Sequence, residues 1–136
     1  MLENIKSNFI SLLDSSLFTF GQYQAKLEQG TAKDNDFLIS YHIFAAEVLD
    51  IIKNADELTE KCATLVIKYD EENNYEARDA ISALSDLCLE FRTSLESFLR
   101  ESANTIKEPA YAKKSLLSGI AVLFKKLSLL KNTLKD

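Results

Sequence analysis

The chain is short of the residues that turn a backbone. Three glycines and one proline are all that its 136 residues contain. A sheet protein needs turn signals roughly every 8–12 residues, so a β-rich fold is excluded and long helices are favoured. Cysteine is also scarce. Cys62 and Cys88 make neither a CxxC site nor a disulfide framework. Arginine is scarcer than lysine: Arg78, Arg92 and Arg100 are the only three among sixteen basic residues. Such lysine bias hints at an AT-rich, bacterial genome. With a net charge of −5 and no arginine-rich patch, nucleic-acid binding is disfavoured.

Long apolar runs are missing too. No stretch reaches the ~18 uncharged residues of a membrane span. Residues 1–20 carry Glu3 and Asp14 where a secretory signal would have a basic start and an apolar run. The expectation is a cytoplasmic protein. One histidine, His42, excludes a di-iron bundle site, which uses Glu-x-x-His twice. A phosphotransfer histidine has lysine and glycine just after it, whereas Ile43, Phe44, Ala45 and Ala46 follow His42. A helical nuclease of the HEPN type has arginine shortly before its histidine, and here every arginine comes after it. A zinc site from His42, Cys62 and Cys88 would draw on residues spread along a helix axis. A cysteine nucleophile needs a neighbouring base, and His42 lies ~30 Å of helix from Cys62. The acidic run Asp70-Glu71-Glu72 lacks the glycine and spacing of a calcium loop. No Gly-rich phosphate loop, GxSxG or HExxH occurs. No cofactor, metal or catalytic residue is expected, and the chain reads as a non-enzyme.

What is present is helical periodicity. Four segments separate, about 2–29, 37–69, 75–104 and 110–135. Gly30 can end the first helix in the left-handed conformation. Asp34, Asn35 and Asp36 offer an N-cap to the second. Asn73 followed by Glu76 approximates a capping box for the third. Pro109 suits the first turn of the fourth. In the second segment Ala45, Val48, Ile52, Ala55, Thr59, Cys62, Val66 and Tyr69 recur in steps of three and four, flanked by Phe44, Ile51, Leu58 and Leu65. In the third, Ala77, Ile81, Leu84, Cys88, Phe91, Leu95 and Phe98 form the same pattern. In the fourth it is Leu116, Ile120, Leu123, Leu127, Leu130 and Leu134. A seam with a flanking stripe suits a bundle core. The first segment is less regular: Phe9, Leu13 and Leu17 are four apart, but Ser15, Ser16 and Gly21 weaken it, so a kink or break is expected within 14–21. The fold class is all-α, an up-down antiparallel bundle of about four long helices, and residues 1–136 form one domain.

Charge and aromatics are unevenly spread. Residues 36–74 carry nine acids and three bases, whereas residues 109–136 carry six lysines and one acid. With alternating helices, Phe18, Phe20, Tyr23, Phe37, Tyr41, Phe44, Phe91, Phe98 and Tyr111 gather at one end with His42, while Phe9, Tyr69, Tyr75 and Phe124 gather at the other. At the aromatic end no residue between Asp36 and Glu47 is charged. Ile39, Ile43 and Ala46 form an apolar stripe opposite the seam, to be covered by the close of helix one, by a second copy or by another protein. Val122 and Leu129, one heptad apart on the polar face of the last helix, are a further sign of an interface.

The leading expectation is a protein-binding bundle of adaptor, chaperone, inhibitor or effector type. It would contact a protein partner or a second copy through Phe18, Phe20, Ile39, Ile43, Val122 and Leu129. The alternative is an apolar-ligand pocket lined by Tyr23, Tyr41, His42 and Tyr111. A lesser alternative is a membrane-surface contact by the basic last helix.

Overall fold

The computed structural model describes residues 1–29 and 34–135. It has four helices: α1 (Leu2–Gln29), α2 (Asp34–Glu71), α3 (Tyr75–Thr105) and α4 (Pro109–Lys135). Each helix packs beside its chain neighbours, and α4 closes the square against α1. Side-chain contacts fix the α2–α3 and α3–α4 neighbours as antiparallel. Along α2 and α3, Asp70 meets Arg78, Asp56 meets Arg92 and Tyr41 meets Ser102. Along α3 and α4, Glu90 lies by Lys126 and Phe98 by Gly119. Along α1 and α4, Asp14 meets Lys131 at 2.5 Å.

On α3 and α4 the core largely follows the expected seams, whereas on α2 the expected flank, Phe44, Ile51, Leu58 and Leu65, is buried while Ala45, Thr59, Val66 and Tyr69 of the expected seam are half-buried. Val48, Ile52, Ala55 and Cys62 on α2 are buried, as are Ile81, Leu84, Cys88, Phe91, Leu95 and Phe98 on α3. On α4 the whole series from Leu116 to Leu134 is buried. These residues form one cluster that runs through all four helices. Fully burying one such side chain contributes roughly 1.5–3 kcal/mol.

The first helix corrects the expectation of a break. It runs unbroken from Leu2 to Gln29, with Ile5, Phe9, Leu13, Ser16, Phe20, Tyr23 and Leu27 inward. That series steps regularly by three and four. Ser16 rather than Leu17 holds the inward place, and its hydroxyl donates to the Leu12 carbonyl at 2.9 Å. The bond satisfies the polar atom within its own helix, so the buried serine does not interrupt the turn.

The caps also differ from the reading. Asp34 to Asp36 lie within α2 and do not precede it. Gly30 lies outside the described residues. At the α2–α3 turn, Asn73 adopts φ 60°, the left-handed conformation that asparagine tolerates. The Asn74 amide bonds back to the Tyr69 carbonyl at 2.9 Å and that of Asn73 to the Asp70 carbonyl at 3.1 Å, closing α2 in a Schellman arrangement. Asn74, not Asn73, then caps α3 by accepting from the Ala77 amide at 3.3 Å. Pro109 opens α4 as expected, and the Tyr111 and Ala112 amides bond to the Glu108 carbonyl.

Candidate functional site

At the aromatic end, most rings are core. The Phe20 ring meets Phe44 and Phe98 edge-on, both at 5.1 Å between centroids. Tyr23 stacks on Phe44 at 4.0 Å, and Tyr41 lies edge-on to Tyr23 at 6.5 Å. Edge-on and stacked pairs of this kind add to the apolar burial. Phe91 does not belong to this end. It pairs with Phe9 at 5.8 Å in the body of the bundle, because α1 is set further along the bundle axis than equal helix starts would imply.

The polar groups of the cluster have different environments. Tyr41 Oη is 2.6 Å from Ser102 Oγ. Tyr23 Oη is buried without a hydrogen-bond partner among the described residues. Burial, and secondarily the neighbouring Tyr41, push the Tyr23 phenol far above its ordinary value. The depression beside Tyr23, lined also by Thr19, Ser40 and Glu47, holds about 20 Å³, room for roughly one water. His42 is exposed, and Tyr111 faces outward from α4. Two of these tyrosines pack in the core and the other two residues face solvent, and among the described residues no depression is lined by all four residues of the expected ligand pocket.

The residues expected to bind a partner divide among three places. Phe20 is a correction: at 1% exposure it is core, because the inward face of α1 continues through Ser16 to Phe20. Ile39 and Ile43 stand on the outer side of α2, 59% and 53% exposed, so α1 leaves more than half of each uncovered. Leu49, further along α2, is exposed as well. Phe18 projects from α1, 65% exposed. Val122 and Leu129 lie across the molecule on α4, 70% and 62% exposed. Since α1–α2 and α3–α4 form opposite sides of the square, these two sets cannot meet one flat partner together.

Of the expected residues, Val122 alone borders a further depression. An open groove of about 700 Å³ runs between α3 and α4, with Phe98, Leu123 and Gly119 among its lining. Leu89, Val122, Asp86, Glu90, Glu101 and Lys126 also line it. Gly119 marks it in the sequence: a Cβ there would lie 3.1 Å from Phe98 Cε2, so the glycine admits the ring. Leu89, exposed in the middle of α3, could have been picked out as an apolar residue on a polar face.

The thiols sit in the core. Cys62 and Cys88 are free and buried, as their register implies. The Cys88 thiol lies 3.6 Å from the Ala55 carbonyl. Burial raises the pKa of both thiols above the ordinary value, which opposes the thiolate that chemistry would need. Among the described residues, no three His, Cys, Asp or Glu side chains cluster to hold a metal ion, and no helix is long and apolar enough to cross a membrane. Comparison of the chain with protein families, with curated proteins and with solved structures gives no match.

Proposed function

We propose that this chain is a non-enzymatic protein-binding bundle of the adaptor, chaperone, inhibitor or effector type. Its partner contact is the outer side of α2 at the aromatic end, centred on Ile39 and Ile43. The observation that carries the reading is the exposure of both side chains, 59% and 53%, on a turn whose inward residues Tyr41 and Phe44 are locked in the ring cluster. An apolar strip on a rigid support loses little conformational entropy when it is covered. Such a strip, exposed beside packed aromatics, is the usual form of a contact anchor. The reading takes the compartment as the cytoplasm, in keeping with two unpaired thiols.

The test uses a photo-crosslinking residue at Ala46, beside the strip, in the native host. Adducts are compared between the parent chain and the double change Ile39→Lys, Ile43→Glu. The expected result is a discrete protein adduct that the double change abolishes, with the melting curve by circular dichroism little altered. An adduct that survives the change, or a variant that melts far lower, overturns the reading.

A further inference from the structure

The bundle separates its charge by sides. α1 carries two basic and three acidic residues, and α4 carries six lysines and no acid, so these two helices together hold +5. α2 and α3 carry six basic and fifteen acidic residues, which leaves −9. The α1–α4 and α2–α3 pairs are opposite sides of the square. A chain of net charge −5 therefore has one positive side. All three arginines lie on α3, so that side is a lysine surface.

The same side exposes apolar side chains. Asp14 and Gly21 of α1 face α4, at Lys131 and Phe124. Phe18 stands four residues after the first and three before the second, on the same stripe of the helix, and it is 65% exposed. Those two contacts place it level with the α4 turn from Lys125 to Leu129. Leu129 is exposed, as is Lys125. The α1 corner belongs to this side as well as to the α1–α2 side, so Phe18 can reach a surface that Ile39 and Ile43 cannot.

The lysines are available. Lys114, Lys125 and Lys135 are exposed, and none of the three has an ion-pair partner among the described residues. Asp14, the acid one turn from Phe18, is held by Lys131. Glu3 and Glu28 stand toward the two ends of α1.

Lysines around an aromatic ring and a leucine suit an anionic lipid surface. The ammonium groups lie among the headgroups, and the apolar side chains enter the boundary below them. The acidic α2–α3 side then faces away from the lipid. No described helix is long and apolar enough to cross a membrane, so the contact is a surface one. A second copy could offer its acidic side instead, but a contact between opposite sides is head-to-tail and grows into an open chain.

We infer that the α1–α4 side rests on an anionic membrane surface, with Phe18 and Leu129 entering the headgroup boundary and Lys114, Lys125 and Lys135 among the lipid phosphates and carboxylates. This surface does not include Ile39 and Ile43, so either reading can fail without the other.

The experiment is co-sedimentation of the full chain with vesicles of phosphatidylcholine, alone or mixed with phosphatidylserine, at ~0.1 M and ~1 M salt. The expected result is binding to the mixed vesicles that is lost at the higher salt and is at least about tenfold weaker on phosphatidylcholine alone. Lys114→Glu with Lys125→Glu should weaken it at least about twentyfold, and Phe18→Ser about tenfold. Ile39→Lys, Ile43→Glu should leave it unchanged. Circular dichroism checks that each variant keeps its helices. The chain has no tryptophan, so Phe18→Trp supplies a probe whose emission should shift to the blue on the mixed vesicles. A parent that stays in the supernatant at every concentration of mixed vesicles overturns the inference. So does binding that ignores vesicle charge or the lysine reversal, and so does a bound Phe18→Trp variant whose emission does not move. Light scattering without lipid tests the other occupant: a parent that polymerises, and stops doing so on lysine reversal, gives the side to a second copy and overturns the lipid reading.

Discussion

Tyr41 Oη and Ser102 Oγ meet at 2.6 Å across the α2–α3 contact, and both residues are buried. The Ser102 hydroxyl is itself within 3.1 Å of the Leu99 carbonyl, so the phenol donates to the serine and the serine donates on to the backbone. Tyr23, equally buried and in the same ring cluster, has no such outlet among the described residues. The two tyrosines should therefore answer differently to loss of the hydroxyl. Tyr41→Phe should cost about 1 kcal/mol, and Ser102→Ala, which strands the phenol, about 1–3 kcal/mol. Tyr23→Phe should be neutral or stabilising, because it removes a buried group that makes no bond. Urea denaturation of the three variants checks this. A cost above about 1 kcal/mol at Tyr23 would reveal an ordered water beside it.

The thiols set an alkaline limit. Burial is the main cause that raises both cysteines above the ordinary thiol value of 9.0, and it raises Tyr23 as well. The unfolded chain therefore gives up these protons at lower pH than the folded one. Stability from this source is complete below the unfolded pKa and is lost as pH rises through the folded values. The urea midpoint should hold to about pH 8 and fall by about pH 10. A thiol reagent near neutral pH should count two groups per chain in denaturant and react slowly with the native protein. Rapid native reaction would contradict the burial.

The glycines differ in what a methyl group would meet. At Gly21 an added Cβ lies 3.5 Å from Phe124 Cζ, an ordinary contact, within a helix that gains from alanine. Gly21→Ala should stabilise by roughly 0.5–1 kcal/mol. At Gly119 the same atom lies 3.1 Å from Phe98 Cε2, and that ring is held by Phe20 and Phe44. Gly119→Ala should gain less than Gly21→Ala or lose stability. Thermal melts of the pair decide, and equal gains would mean that the Phe98 ring yields.

Core and surface should separate cleanly. Leu84 and Leu123 are buried, whereas Asp50 and Glu57 are exposed on α2. Alanine at either leucine should cost about 2–5 kcal/mol, and at either acid less than about 0.5 kcal/mol. Chemical denaturation measures all four. Similar losses at every position would mean that the faces of α2, α3 and α4 are misassigned.

Much of this protein is determined by sequence pattern alone. Leu116, Ile120, Leu123, Leu127, Leu130 and Leu134 recur at helical spacing, and such a stripe leaves a helix one stable way to face. Short connections then make chain neighbours antiparallel. The free state of Cys62 and Cys88 followed from the same register. The course of α1 did not, because the pattern is written partly in polar residues. Ser16 and Tyr23 carry the inward face, and a serine counts as inward only once its Leu12 bond is seen.

Tertiary structure decided which apolar residues are spent and which are left. Phe18 and Phe20 are two positions apart, so a helix turns them to nearly opposite sides; α1 runs unbroken, and one is exposed while the other is core. Whether α1 covers Ile39 and Ile43 depends on its crossing with α2, which periodicity does not encode. The groove at Gly119 likewise arises between two helices. The seam of each helix states only that helix's own inward side. The space left between neighbours depends on how far apart and at what angle they pack, and those follow from side chains on both helices at once.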